Sequence, residues 1–584
     1  MSNQIQVAID VPATMRDGTV LRANIYQPQG ATDLPVLLTR LPYGKDYPMG
    51  TGFLDPLRAA QAGYIVVVQD VRGRYHSEGE WEPFVAEFND GYDTVEWCAT
   101  LPGSNARVAM FGASYFGMTQ WQAAVEKPPH LVSLFPAISW GNHLNGTSRR
   151  GGVYEWGLSA YWMLSALSLD TVSRIWRNQP EQMRVAMWEA VHHIDGLGSK
   201  GYGTLPLADL PGLKDIAPYF KKNLAQPLDS PYWKQLNITG RFDQVGVPAY
   251  LLGGWYDIFL GETLNIFQAL KANRIPGSPR LIIGPWAHGF PGNVVGDQDF
   301  GLATSGLFIN YREDLTALQL RWFDATVKRL PNGLTEEPPV QLFVMGANQW
   351  RYFTDWPPPE AKSFDLFLDS AGHANTSRGD GALSVSQPIQ GVPDRYLYDP
   401  MNPVPTTGGS LLMPGVFPPG PKDQSVIEVR SDVMSYRTAP LSHEITVIGP
   451  VTVTLYVSSS APDTDFVARL VDVYPDGRVY NLTDGVVRAS FRNADWSKPE
   501  TVQQQFLNPG QVYELTIDLW ATANTFFPGH RIGLDITSSN FPRWDRNLNT
   551  GLSGLENAKA QIAQQIIYHD NRHLSVLHLM TILN

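Results

Sequence analysis

One serine in this chain stands where its hydroxyl could be made nucleophilic. Ser114 lies in Gly112-Ala-Ser-Tyr-Phe-Gly117, after the apolar run Arg107-Val-Ala-Met-Phe111 and before Met118 to Glu126, a helix-like stretch. Strand, tight turn and helix in that order would lift the serine Oγ above a sheet edge, with small flanking residues permitting the bend. Glycine stands two residues before the serine, as in a G-x-S-x-G elbow, but the second glycine comes three after it. A serine hydroxyl is a poor nucleophile at neutral pH and needs a base, usually a histidine oriented by a carboxylate. Among 12 histidines, position selects His288. Val247 to Asp257 reads as a strand ending in an aspartate, and Pro279 to His288 as a strand ending in a histidine. Between them Glu262 to Ala272 carries Leu264, Phe267, Ala269 and Leu270 at helical spacing. Taken singly, Asp257 could be a helix N-cap and His288 a buried turn histidine. Taken together, with the elbow upstream, they make Ser114, Asp257 and His288 a catalytic set in the chain order serine, acid, histidine.

These residues need a sheet to hold them. Leu34 to Leu41, Tyr64 to Gln69, Arg107 to Gly112 and Leu131 to Ile138 read as short buried strands. Phe53 to Ala62, Asp90 to Ala99 and Ser114 to Glu126 read as helices between them, an alternation that predicts a mostly parallel sheet covered on both faces. The fold class is α/β, with an α/β-hydrolase core. The rhythm stops near Gly141 and resumes near Val247. The interval is rich in Trp, Leu and Met at helical spacing (Trp156, Leu158, Trp162, Met163, Leu167) and reads as a helical cap over the catalytic edge. Helix Arg312 to Leu330 is expected to close the core. Near Trp356-Pro-Pro-Pro-Glu360 period-2 segments take over, among them Val451 to Val457, Phe466 to Val473 and Arg531 to Thr537, which argues for an all-β sandwich. The expected limits are core 1–141 and 243–354, cap 142–242 and β-domain 355–584.

Composition excludes several classes. The 584 residues exceed one core and suggest about three domains. Hydrophobic residues make up 43% and charged ones 17%, so ample core can be buried. A net charge of −12 with no basic run would repel nucleic acid and anionic membranes, so neither is an expected partner. No apolar run is long enough to span a bilayer, and the first residues lack the pattern of a signal peptide. The single cysteine, Cys98, excludes intrachain disulfides and reads as a packed core thiol. A soluble cytoplasmic protein is expected, with a homodimer left open. Adjacent His192 and His193 point about 100° apart on a helix, which argues against a metal; no metal or organic cofactor is expected.

The segments GASYFG with Ser114, GGWYDIF with Asp257 and GPWAHG with His288 resemble the triad segments of the bacterial cocaine-esterase and X-prolyl dipeptidyl-peptidase family. Further matches are Met15-Arg-Asp-Gly18, Arg40-Leu-Pro-Tyr43-Gly, Gln69-Asp-Val-Arg-Gly73 with Ser77-Glu-Gly79, and Ser538-Ser-Asn-Phe-Pro542, so the similarity covers nearly the whole length. It implies a C-terminal jelly roll and a serine hydrolase working through an acyl-enzyme. It also implies an oxyanion hole made by the backbone N–H of Tyr115 and, in place of a second amide, the phenol of Tyr43. Read by itself, Tyr43 could be a buried core tyrosine. Arg72 and Glu78 are expected to form a salt bridge that braces their loop.

For the substrate, the resemblance implies an aromatic acyl pocket. Phe259 matches a pocket residue of the family; Leu412 and Met413 match an apolar pair from the jelly roll, with Met in place of an aromatic; Trp162 is the counterpart of a cap tryptophan. All four could instead be simple core. The Met makes the pocket more adaptable and a benzoyl preference less certain. α-Amino-acid ester hydrolases hold a substrate ammonium with carboxylates, partly just beyond the catalytic aspartate. Here that stretch is Ile258-Phe259-Leu260, with acid only at Glu262. An ester hydrolase is therefore favoured over an X-prolyl aminopeptidase or an amino-acid ester hydrolase. A catalytically silent scaffold, with the jelly roll as a binding module, is the reading from another class.

Overall fold

The computed structural model describes residues 4–213 and 217–582. Ten strands form the first sheet: β1 (Ile5–Thr14), β2 (Val20–Pro28), β3 (Leu34–Leu41), β4 (Ile65–Asp70), β5 (Ser104–Ala113), β6 (Leu131–Ala137), β7 (Tyr250–Tyr256), β8 (Arg280–Ala287), β9 (Val340–Val344) and β10 (Gln349–Phe353). Their spatial order is β1-β2-β4-β3-β5-β6-β7-β8-β9-β10. From β4 to β9 the neighbours are parallel. Helices cover both faces of this parallel centre, so all eight residues of β3 and all six of β4 are buried. Such strands read as unbroken apolar runs rather than alternations, which is why the sequence locates them.

The two ends of the sheet are different. β1 and β2 form an antiparallel hairpin, and Met15-Arg-Asp-Gly18 is its turn, closed by a bond from Gly18 N–H to Met15 C=O of 2.9 Å. At the other end, β9 and β10 pair antiparallel beyond the helix Leu315–Thr326, so two strands rather than that helix end the core. These edge strands are partly exposed and lack the continuous hydrophobicity of the centre.

Between β6 and β7 the chain builds a helical layer from Trp156–Tyr161, Ser168–Trp176, Pro180–Gly196, Pro218–Leu224 and Pro231–Leu236. Two segments in this region, Leu144–Ser148 and Trp162–Leu167, are wound as π-helix, a form often found at functional sites. Beyond Phe353 the chain is all-β. Eleven strands between Lys362 and Ile582 form the second sheet system, bent into a sandwich whose long strands Ile445–Ser459 and Tyr513–Phe526 pair antiparallel. The sandwich grips the cap. Tyr154 N–H donates to Asp545 Oδ1 at 2.7 Å, Gly157 N–H to Arg543 C=O at 3.0 Å, and Trp544 Nε1 to Glu155 Oε1 at 2.8 Å.

The sheet order puts a topological switch between β3 and β5. The chain leaves β3 toward β4 on one side and returns to β5 on the other, so a crevice opens at the strands' carboxyl ends. Tyr43 follows β3 and Ser114 follows β5, while Asp257 and His288 follow β7 and β8 at the same edge. Among the described residues no helix is long and apolar enough to cross a membrane.

Candidate active site

Ser114 occupies a backbone conformation that L-residues rarely adopt, φ 56° and ψ −122°. The turn is forced by close packing on both sides. A Cβ on Gly112, itself at φ 134°, would lie 2.3 Å from the Phe116 ring, and one on Gly117 would lie 2.9 Å from the Ala137 carbonyl oxygen. The second glycine therefore serves contact between the helix Tyr115–Val125 and β6, which explains its place three residues after the serine. Ser114 N–H donates to Ala137 C=O at 3.0 Å and Ser114 C=O accepts from Gly117 and Met118 at 2.9 Å, holding the elbow at both ends. Strain of this kind persists only where the surroundings over-determine it, and it clusters at functional sites.

The three expected side chains meet. Ser114 Oγ stands 2.9 Å from His288 Nε2, and His288 Nδ1 stands 2.6 Å from Asp257 Oδ1. Asp257 is fully buried, and its second oxygen accepts from Phe259 N–H at 3.1 Å, so the carboxylate is fixed in the plane that the imidazole needs. Phe259 packs edge-on against the His288 ring, centroids 5.2 Å apart at 87°. With Nδ1–H committed to Asp257, Nε2 is left as the acceptor for the serine proton.

Both residues expected to supply oxyanion donors line the same cavity as Ser114. Tyr115 is the first residue of its helix, so its N–H has no acceptor within the helix. Its side chain anchors that amide: the phenol donates to Glu87 at 2.9 Å and accepts from Phe84 N–H at 3.1 Å and Trp81 Nε1 at 3.3 Å. Glu87 pairs in turn with Arg40 at 2.8 Å, both fully buried, beneath the elbow. Burial raises the Glu87 carboxyl above its usual range, against the pull of Arg40. The second donor is Tyr43. Its oxygen accepts from Trp162 Nε1 at 2.9 Å, which leaves its own O–H free to donate elsewhere. Burial pushes the Tyr43 phenol well above its ordinary pKa, so it stays protonated.

Ser114 and Tyr43 open into a cavity whose wall is aromatic, with Phe84, Trp140, Trp162 and Phe259 prominent. Leu412 reaches it from the jelly roll, whereas Met413 does not line it: its sulfur sits beneath Gly157 in the apolar cluster of the cap. Adjacent residues of an irregular loop point opposite ways, and only packing decides which one faces the cavity. Sequence reasoning missed His143, Thr147, Ser148, Tyr154, Tyr219 and Asn223, all cap residues on this wall. For His143, Thr147 and Ser148 the one local signal is that they lie on or beside a π-wound segment, as the expected Trp162 does; Tyr154, Tyr219 and Asn223 carry none.

Other expectations resolve as follows. Arg72 does brace its loop, but through Asp90 at 2.6 Å and Asp17 at 2.7 Å rather than through Glu78, which accepts from Val20 N–H. The Glu262 carboxylate turns away from the cavity to accept from Gly141 N–H at 3.0 Å and Asn142 N–H at 2.6 Å. Cys98 is fully buried in the core, and burial pushes its thiol up. His192 stacks on Trp188, centroids 5.5 Å apart.

Sheet order, elbow and the side chains gathered at the strand ends are those of an α/β-hydrolase enzyme carrying a C-terminal jelly roll. Residues 17–290 match the X-Pro dipeptidyl-peptidase (S15 family) model, and 332–578 match the X-Pro dipeptidyl-peptidase C-terminal non-catalytic domain. The chain belongs to this family of hydrolases. It is 37% identical over 553 residues to a cocaine esterase of Rhodococcus sp. (strain MB1 Bresler), covering 93% of each chain. Among solved structures it resembles an aminopeptidase from a marine sediment Thaumarchaeota archaeon, with TM-score 0.80 and 26% identity over 99% of this chain and 96% of that one. An α-amino acid ester hydrolase shares the fold at TM-score 0.80 and 23% identity, over 99% and 96%.

Proposed function

We propose that this hydrolase cleaves carboxylic esters through an acyl-enzyme on Ser114. His288 takes the serine proton and returns it to the leaving alcohol, and Asp257 holds the imidazole tautomer and stabilises the imidazolium. Tyr115 N–H and the Tyr43 phenol receive the oxyanion. The observation that carries this reading is the Asp257–His288–Ser114 relay of 2.6 and 2.9 Å at the floor of an aromatic cavity. The phenol has a particular value as donor. Its hydrogen bond can shorten as charge grows on the carbonyl oxygen, favouring the transition state over the ground state. Trp162, Phe259 and Leu412 shape the acyl pocket, with Met413 packed behind them. Acyl transfer of this kind needs neither metal nor organic cofactor. The same reading divides the chain into a core over 1–141 and 243–354, a cap over 142–242 and a jelly roll over 355–584, and places its action in the cytoplasm.

Aminopeptidase action is the competing reading. A free substrate N-terminus is an ammonium, whose desolvation requires a carboxylate partner. Among the described residues no Asp or Glu lines the cavity, and Glu262 is engaged with backbone amides. This favours esters. The test is a turnover panel of p-nitrophenyl acetate, butyrate and benzoate beside glycyl-prolyl and alanyl-prolyl p-nitroanilides, with Ser114→Ala as blank. Serine-dependent release from the esters, with idle anilides, is expected. Fast anilide release would overturn the ester reading.

A further inference from the structure

His143 lines the cavity yet has no part in the chemistry above. It is 4% exposed and is clamped between rings: Phe84 at 4.7 Å, Trp140 at 6.2 Å and Trp233 stacked at 6.1 Å. Its tautomer is dictated. Trp140 Nε1, which can only donate, approaches His143 Nδ1 at 3.2 Å, so Nδ1 is the acceptor and the ring proton sits on Nε2. Burial drives the imidazole pKa down to about 3, so the ring stays neutral at any working pH. Among the described residues Nε2–H has no hydrogen-bond partner.

A second polar group on the same cavity is also unanswered. Thr147 lies on the π-wound segment that His143 begins and lines the same cavity, and its Oγ1 is buried with no hydrogen-bond partner. Buried donors are nearly always satisfied, and an orphan in a native structure calls for an explanation. Here the explanation is in the cavity. The rings His288, Phe259, Trp140 and His143 follow one another in contact, with centroids 5.2, 4.3 and 6.2 Å apart, a row that runs from the catalytic base to His143. A flat group lying along that row, with its carbonyl at Ser114, would bring its far end toward His143.

We propose that His143, assisted by Thr147, is a specificity determinant that selects esters whose aromatic acyl group carries a neutral hydrogen-bond acceptor away from the scissile carbonyl. A ring nitrogen, ether oxygen or ketone oxygen would accept from His143 Nε2–H. A plain benzoyl group would leave that donor and the Thr147 hydroxyl unpaired. A charged carboxylate is not the expected group, because it would meet a neutral imidazole in an aromatic wall that, among the described residues, no Lys or Arg lines. This inference rests on the esterase reading of the same site.

The experiment compares p-nitrophenyl benzoate with the nicotinate, the isonicotinate and the 3- and 4-methoxybenzoates, in wild type, His143→Phe and His143→Gln. Each kcat/KM is divided by the ester's alkaline hydrolysis rate to remove intrinsic reactivity. The wild type is expected to prefer at least one acceptor-bearing ester over benzoate, and His143→Phe to lower that preference by about 10- to 100-fold, the range for leaving one buried partner unpaired. His143→Gln, whose amide N–H can stand in for the imidazole Nε2–H, restores most of it. A preference unaltered by His143→Phe overturns the proposal while Ser114-dependent turnover leaves the esterase reading intact. If no ester is turned over, the esterase reading fails and the pocket is judged by binding alone. Tryptophan fluorescence of Ser114→Ala then reports the affinities of benzamide, nicotinamide and isonicotinamide, and equal affinities with and without His143→Phe overturn the proposal. Thermal unfolding of both variants guards against misfolding; should His143→Phe not fold, the loss of preference is read from Thr147→Val with the same probes and the same refuting result.

Discussion

Replacing Tyr43 by phenylalanine removes one oxygen and leaves the ring. The ring keeps its edge contacts with Tyr115 at 6.4 Å and Phe116 at 6.3 Å, so the wall of the cavity should hold its shape. What disappears is the O–H that the Trp162 indole frees for donation by occupying the phenol oxygen from behind. In the ground state that proton meets a neutral carbonyl, a bond of about 1 kcal/mol net, so KM should rise by no more than about 5-fold. In the transition state the same position holds an oxyanion. Loss of one such donor is worth about 2.7–4 kcal/mol, or about 10²–10³ in kcat. The Trp162 N–H is left unpaired in both states, so its cost cancels in kcat. Acylation and deacylation both pass through an oxyanion, so the fall should appear whichever step limits turnover. Steady-state hydrolysis of p-nitrophenyl butyrate gives kcat and KM, and rapid mixing gives the burst of p-nitrophenol that reports acyl-enzyme. Trp162→Phe should cost less on its own, and should have little further effect on kcat once Tyr43 is phenylalanine, because it acts through the phenol. A Tyr43→Phe enzyme with kcat within about 3-fold of wild type, or one whose loss lies wholly in KM, would refute the assignment of the phenol to the oxyanion.

Ser114→Ala should lower turnover by about 10⁴-fold or more while leaving thermal unfolding cooperative. Ser114→Gly removes the same oxygen but also the Cβ that makes φ 56° unfavourable, so in urea titrations it should be more stable than Ser114→Ala by about 1 kcal/mol; equal stabilities would mean that the elbow stores no strain. In the jelly roll, burial by itself would raise the Asp394 carboxyl. Hydrogen bonds from His569, Ala374 N–H, Tyr436 and Ser370 instead hold it below its usual value. A depressed folded-state pKa means stability that is present above the unfolded value of about 3.9 and lost as pH falls through the folded one. Urea midpoints measured from pH 6 down to pH 2 should therefore drop more steeply for wild type than for Asp394→Asn, and parallel curves would remove Asp394 from the acid response.

The core and the candidate catalytic residues were legible because each depends on local pattern. A parallel strand buried on both faces is an apolar run, and in an α/β sheet the functional side chains sit just past the ends of such runs. Hence Ser114, Asp257 and His288 could be proposed before any coordinates, whereas Tyr43 was reached only through the family resemblance. The edge strands were not legible: β1 and β10 are partly exposed, with no continuous apolar signal. The cap was legible as helix but not as a surface. Two π-wound segments shift the facing of their side chains relative to a 3.6-residue period, so periodicity could not say that His143 and Thr147 line the cavity.

The sequence by itself determined the class of chemistry and the order of its parts, since strand, turn and helix around Ser114 and the strand ends at Asp257 and His288 are encoded within a few residues of each group. The tertiary structure alone decided which polar groups were consumed and which were left free. Glu262 and Glu78 were spent on backbone amides, Arg72 found Asp90, Leu412 rather than Met413 reached the cavity, and among the described residues the His143 N–H was left without a partner. Such outcomes depend on contacts between segments far apart in the chain, where one residue of register or one turn of packing reverses what a side chain meets.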